Sequence, residues 1–284
     1  MGRVTDRRGV LRIDLAGASP QVRRAPDTLA AEEPLEIRVG PASIARRPPL
    51  AVTMRTPGHD LDLALGFLFT EGVIRTAADV RTAQLCAGDG AANTYNVVDV
   101  ALADGVPPPV TDPGRNFLTS SSCGVCGKAS IDAIRTRSQF DVTADLTTVS
   151  AGALAGLPDT LRAAQRGFDA TGGVHAAGIF TPQGDLLCLR EDVGRHNAVD
   201  KVVGWALRDG RLPLAGQVLL VSGRASFELT QKAWMAGLPV LAAVSAPSTL
   251  AVDIAEEAGL TLVGFLRGSR FNVYAGAQRV AVDA

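Results

Sequence analysis

The stretch QVLLVSGRASFELTQKAWMAGLPVLAAVS, Gln217 to Ser245, decides the fold. Two apolar runs, QVLLVSG and PVLAAVS, flank SFELTQKAWMAG, whose spacing is helical and whose end is marked by Gly237 and Pro239. Neither run alternates with polar residues, as expected of strands covered on both faces. The rhythm continues outward. STLAVDIAEEAG reads as the next helix and TLVGF as the next strand. Upstream, VHAAGIFTPQGDLLCLRED reads as a hairpin turning at Pro182 to Gly184, followed by a helix through NAVDKVVGWALRDG. A further helix is expected from about Ala151 to Arg166. Strands alternating with helices imply an α/β fold with a parallel or mixed sheet, whose ligands bind beyond the carboxyl ends of the strands.

The amino-terminal half is different. Residues 1–34 mix Arg, Asp, Pro and Ala with little periodicity, apart from a short apolar alternation near Leu11 to Leu15, and read as a loosely held arm. Residues 35–115 read as a small α+β unit whose strands could join the main sheet. Its strands are LEIRVG, PLAVTMRTP and YNVVDVAL, and its helix is HDLDLALGFLFTEG. The apolar stripe Leu61, Leu65, Leu68 and Phe69 on that helix reads as core. Residues 116–138 carry a cysteine loop and a helix, KASIDAIRTRS, and residues 139–284 form the larger unit.

Composition narrows the function. The 284 residues can bury a core without disulfide staples, and a net charge of −1 offers no basic footprint for nucleic acid. No apolar run approaches the roughly 20 residues of a membrane helix, and the first residues lack the apolar segment of a secretory signal. A cytoplasmic protein with reduced thiols is the expectation.

SSSCGVCGKAS, Ser120 to Ser130, holds Cys123 and Cys126. A CxxC has three common uses: half a zinc site, a redox dithiol, or a thiolate that carries a group. Zinc needs further ligands, and Cys86, Cys188, His59, His175 and His196 are isolated in sequence. The deaminase HxE and its proline are missing too, so no metal is expected. An inert buried pair is the plain alternative, but the small neighbours of Cys123 supply no packing bulk. An accessible loop follows, its thiolate favoured by a helix N-terminus and by Lys128. Cys86 and Cys188 read as packing residues.

Polar groups gather further on. TGGVHAAG and REDVGRHNAVDK place Thr171, His175, Asp192, Arg195, His196 and Asn197 at loop ends beside glycines. They suit a ligand, or an Asp192–Arg195 pair that merely starts a helix. SGRAS, with Ser222 and Arg224, and FLRGSR, Phe265 to Arg270, each follow an apolar strand and suit phosphate oxygens. No GxxxxGK[ST] and no strand-anchored GxGxxG accompanies them.

Together with TPGHDLDLALGFLFTEG, SGRASFELTQKA and AVSAPSTLAVDIAEEAGLTLVGFLRGSRFNVY, these segments resemble the FdhD family, the accessory sulfurtransferases of formate dehydrogenases. The resemblance runs from about Leu35 to Tyr274. It implies a cytidine deaminase-like three-layer domain without zinc, beside the smaller unit, and a homodimer. It further implies that Cys123 takes persulfide sulfur from a cysteine desulfurase, with Cys126 assisting. The sulfur goes to a molybdenum bis(molybdopterin guanine dinucleotide) cofactor destined for formate dehydrogenase. Phe265, Leu266, Arg267, Gly268, Ser269 and Arg270 match the family's cofactor-binding segment, and Thr171, His175, Asp192, Arg195, His196, Ser222 and Arg224 lie in loops around the nucleotide. A cofactor chaperone whose cysteines only hold the loop is the rival reading.

Overall fold

The structure, a computed structural model, describes residues 3–17, 19–87, 95–109, 118–119 and 138–282. The expected CxxC loop and the helix after it therefore lie outside the described residues.

Residues 1–34 are more regular than an arm. β1 (Thr5–Asp14) and β2 (Gln21–Ala30) pair antiparallel through ten successive positions, and Ala31 N–H donates to the Val4 carbonyl to close the base of the ribbon. Its side chains are largely exposed, so the only trace of the strands in the sequence is the short apolar alternation near Leu11 to Leu15. Backbone pairing keeps the register, with a cross-strand ion pair between Arg12 and Asp27 beside it.

The small unit is a five-stranded sheet of its own and does not join the larger one. It contains β3 (Glu33–Pro41), β4 (Pro49–Arg55), β5 (Val80–Cys86), β6 (Val97–Leu102) and β7 (Leu118–Thr119) in the order β5-β6-β3-β4-β7. Between β4 and β5 runs α1 (Asp60–Thr70), on which Leu63, Leu65, Leu68 and Phe69 are buried, a core stripe as expected, with Leu61 partly covered.

Next come β8 (Val149–Ser150), α2 (Ala151–Ala164) and the short α3 (Arg166–Thr171). The larger sheet is mixed. β9 (His175–Phe180) and β10 (Leu186–Asp192) form the expected hairpin, and α4 (Arg195–Arg208) follows. β11 (Val218–Val221), α5 (Phe227–Met235), β12 (Val240–Ala243), α6 (Thr249–Ala258) and β13 (Thr261–Arg267) continue the alternation, and β14 (Arg270–Ala275) turns back on β13. Strand order is β10-β9-β11-β12-β13-β14, with the parallel strands β11, β12 and β13 at its centre. β15 (Val280–Ala281) pairs with β8.

The central strands are buried on both faces, as their unbroken apolar runs require. Val218, Leu220, Val240, Ala242 and Val263 pack under Leu154, Leu157 and Leu161 of α2. Leu219, Val221, Leu241, Ala243 and Leu262 belong to the other core, shared with α4, α5, α6, α1 and the small sheet. The arrangement is three layers, α2 over the sheet over α4 to α6, with α1 and the small sheet behind.

The two units meet where α1 crosses α4 at two glycines. A methyl group on Gly66 would lie 1.8 Å from the Asp200 carbonyl oxygen, and one on Gly204 would lie 1.8 Å from that of Asp62. No side chain fits. Buried polar groups are stitched across the same junction: Lys232 Nζ donates to both Asp200 oxygens at 2.8 and 3.0 Å and to Thr70 Oγ1 at 2.9 Å. Asp62 accepts from Arg190 and Arg208. Burial alone would raise the Asp62 pKa, but hydrogen bonds from His59, Arg208 and Arg190 bring it down to about 2.

Gly66→Ala and Gly204→Ala should each lower unfolding free energy by about 3 kcal/mol, since the backbone on the other side cannot yield cheaply. Gly156→Ala in α2, where a methyl group meets open space, should instead gain about 0.5–1 kcal/mol. Denaturant unfolding of the three variants measures the contrast, and equal effects would contradict it.

Candidate functional site

The residues singled out in the sequence gather along one edge of the six-stranded sheet. β11 ends at Val221, followed by Ser222; β12 ends before Val244; β13 ends at Arg267. Because β9 and β10 run antiparallel to each other and β9 opposes β11, the start of β9 at His175 and the end of β10 at Asp192 reach the same edge. The Ser222 hydroxyl accepts from Ala176 N–H at 2.9 Å, and Ser222 N–H donates to the Ala176 carbonyl at 3.0 Å.

Between this edge and the α2–α3 layer lies a cavity of about 700 Å³. His175, Ser222, Leu266, Arg267 and Gly268 line it. Asp159, Arg162, Gln165 and Phe168 close it from the helical side, four residues that local pattern presents only as parts of a helix. The signal for them is weak: a run of polar residues just ahead of TGG, where α2 breaks into α3. Arg267 Nε donates to the Val244 carbonyl at 2.9 Å, which anchors the guanidinium at the mouth of the cavity.

FLRGSR is a strand, turn and strand rather than a loop after a strand. Arg267 pairs with Arg270 across the β13–β14 turn. β14 leaves little trace in the sequence because the turn Gly268-Ser269 is only two residues long. Phe265 is 43 % exposed and sits at φ +53°, a conformation that costs a bulky residue about 1–3 kcal/mol. Ser269 and Arg270 are exposed beyond the cavity wall.

His175 and Arg195 approach each other across Gly223, where a methyl group would lie 3.6 Å from His175 Nδ1 and 4.0 Å from Arg195 Cδ. Burial and then the positive charge of Arg195 lower the His175 pKa below the usual histidine value, so the ring is neutral near pH 7. The Arg195 Nε atom is buried and has no hydrogen-bond partner among the described residues.

The remaining candidates have other work or other surroundings. Asp192 is fully buried and cannot face a ligand: it accepts from Gly194 N–H, Thr56 N–H and Asn197 Nδ2 and pairs with Lys201 Nζ at 2.7 Å. The pair that starts α4 is thus Asp192–Lys201, not Asp192–Arg195, because Lys201 reaches back two turns from inside the helix. His196 faces α5, with Nε2 at 3.5 Å from Ser226 Oγ and 3.7 Å from Glu228 Oε2. The hydrogen bond from His196 holds the Glu228 carboxyl down at about 2. Thr171 lines a separate cavity of about 310 Å³ beside β1 and α1, and Arg224 is exposed away from the larger cavity. Cys188 is buried in β10, and burial pushes its thiol up to about 11, so it is an inert packing residue.

With this geometry in view, the relatives are informative. Residues 30–281 match the FdhD/NarQ family. This chain belongs to that family. It is 60 % identical to the sulfur carrier protein FdhD of Streptomyces coelicolor over 289 aligned positions, which cover 100 % of this chain and 98 % of the relative. The sulfur carrier protein FdhD of Mycobacterium tuberculosis is 56 % identical, covering 93 % of this chain and 95 % of its own. The fold is also similar to a crystal structure from Desulfotalea psychrophila, described as that of a formate dehydrogenase accessory protein. The TM-score is 0.73 at 22 % identity, with 98 % of this chain and 100 % of that one covered. The shared fold thus spans both the small unit and the larger one.

His175 should titrate below pH 6.5 in the folded protein. Its folded pKa is below the unfolded one, so as pH falls the unfolded chain binds the proton first. Stability is therefore full above pH 6.5 and declines below it. NMR titration of the His175 ring tests this, and Arg195→Ala should move the midpoint upward.

Proposed function

We propose that this chain is a sulfur carrier in the maturation of formate dehydrogenase, with Cys123 as the carrier. The whole-length identity of 60 % to a sulfur carrier protein supports this most directly. In this reading the Cys123 thiolate bonds to the terminal sulfur of a persulfide held by a cysteine desulfurase. The donor's own S–S bond breaks, its cysteine leaves as a thiolate, and Cys123 keeps the sulfur as a persulfide. Cys126 assists the onward transfer.

The recipient is a molybdenum bis(molybdopterin guanine dinucleotide) cofactor, which is cargo rather than a resident group. The larger unit acts as a cytidine deaminase-like platform that binds the cargo and needs no zinc. The 700 Å³ cavity fits one nucleotide end of such a molecule. Among the described residues Arg267 bonds to the protein through Nε, so its terminal nitrogens can turn to phosphate oxygens, and Arg162 opposes it. A neutral His175 can give or accept a hydrogen bond there without adding charge. Ser222, Leu266 and Gly268 complete the wall, and Phe265, Ser269, Arg270, Arg195, His196, Thr171 and Arg224, outside the cavity lining, are its more distant candidates.

Among the described residues no helix is long and apolar enough to cross a membrane. The reading places the protein in the cytoplasm, where thiols stay reduced. It works as a homodimer there, with the desulfurase and formate dehydrogenase as its partners.

Incubation with a cysteine desulfurase and cysteine should add one sulfur atom to the protein by intact mass, and Cys123→Ala should gain none. Arg267→Ala should weaken binding of guanosine diphosphate roughly tenfold, the loss expected for a charged hydrogen bond, while leaving sulfur uptake by Cys123 intact. If Cys123→Ala and Cys126→Ala both still activate formate dehydrogenase and Arg267→Ala does not, the protein is a cofactor chaperone instead.

A further inference from the structure

The β1–β2 ribbon has no role in the site just described, yet it carries an organised surface. Cross-strand pairing puts Thr5 with Ala30, Arg7 with Thr28, Gly9 with Pro26, Leu11 with Arg24 and Ile13 with Val22 on one face. All three aspartates, Asp6, Asp14 and Asp27, fall on the other, where Arg8 pairs with Asp6 and Arg12 with Asp27. Among the described residues the first face therefore presents Arg7 and Arg24 with no acid in its own cross-strand pairs. Leu11, Ile13 and Val22 next to them are 58 %, 60 % and 59 % exposed. Two-stranded ribbons are marginal in water, so an apolar face of this kind is expected to be covered.

Charge says by what. Residues 3–30 hold six arginines and three aspartates, in a chain whose net charge is −1, so the remaining residues carry −4. That excess of acid has a concentrated form on α6, which contains no Lys or Arg. Its buried side is Ala251, Ile254, Ala255 and Ala258, and its outer side carries Leu250, 42 % exposed, with Asp253, Glu256 and Glu257. Leu250, Asp253 and Glu256 recur at three-residue spacing along one ridge of the helix. An exposed leucine bordered by acids complements exposed aliphatic residues bordered by arginines.

We infer that the Leu11-Ile13-Val22 face of the ribbon docks on α6 of a second copy of this chain, with Arg7 and Arg24 against Asp253 and Glu256. The contact is reciprocal, so a two-fold pair buries it twice. The inference rests on the proposed homodimer and assigns its surface.

Sedimentation equilibrium of the full chain tests it in low and high salt. The wild type should dimerise, less tightly as salt rises. Arg7→Glu with Arg24→Glu, and separately Asp253→Arg with Glu256→Arg, should each weaken dimerisation by roughly tenfold or more. All four substituted side chains are solvent-exposed, and each variant should keep the wild-type circular dichroism. Mixing the two variants should restore both contacts in the mixed dimer, one native and one with its charges reversed, and combining all four substitutions in one chain should restore both with charges reversed. If the wild type is a dimer and the ribbon variant dimerises equally well, the inference fails while the homodimer stands. If both variants dissociate but the combined one does not recover, α6 is not the docking surface and the inference fails. A monomeric wild type overturns the homodimer and the inference together.

Discussion

Two helices whose backbones touch hold this molecule together. At the crossing of α1 and α4, Gly66 and Gly204 leave room for a carbonyl of the other helix where any side chain would stand. That close approach brings Thr70 within reach of Asp200 and Lys232, and Asp62 within reach of Arg190 and Arg208. Within each of these two sets the three groups come from three different elements, so the bonds that reach α1 form only if the helices sit at this distance. Breaking one partner of such a buried pair typically costs about 3–5 kcal/mol. The crossing is therefore the point at which the small unit and the larger one become a single body.

The site inherits its rigidity from the same junction. Lys201, on α4, pairs with Asp192 at the end of β10 and donates to the Thr56 carbonyl just before α1. Asn197, one turn earlier, bonds to Thr53 and to the Met54 carbonyl of β4. These contacts hold the start of α4, and with it Arg195, against the strand edge where His175 and Ser222 lie. The positive charge this places beside a buried imidazole keeps His175 neutral. Positive charge at the cavity thus comes from Arg162 and Arg267, and the hydrogen-bonding ring between them adds none.

Much of the architecture could be read from local pattern. The unbroken apolar runs at Val218–Val221 and Val240–Ala243 fitted only strands covered on both sides, and both proved to be central. Gly237 and Gly259 stopped the intervening helices as expected, each with a positive φ. The ribbon was hardly legible, because with both faces wet only the short alternation near Leu11 to Leu15 marks a strand. β14 was not either, because a two-residue turn inside FLRGSR looks like the continuation of a loop. Of the candidate site, Ser222, His175 and Arg267 do converge, whereas Asp192 turned out to be structural. An aspartate in a glycine-rich loop is the same in sequence whether it faces a ligand or a buried lysine nine residues later.

By itself, the sequence determined which segments are strands and helices in the larger unit, that its sheet is covered twice, and that small residues with Ser and Arg end its strands. Those features depend on neighbours a few positions away, which a linear reading contains. Only the tertiary structure decided that Arg162 and Gln165 share a cavity with His175 and Arg267, that Lys201 takes Asp192, and that two glycines more than a hundred positions apart meet. Those outcomes depend on how helices cross and on which side chain first satisfies a buried charge. Distances of a few ångströms settle them, and spacing along the chain does not encode those distances.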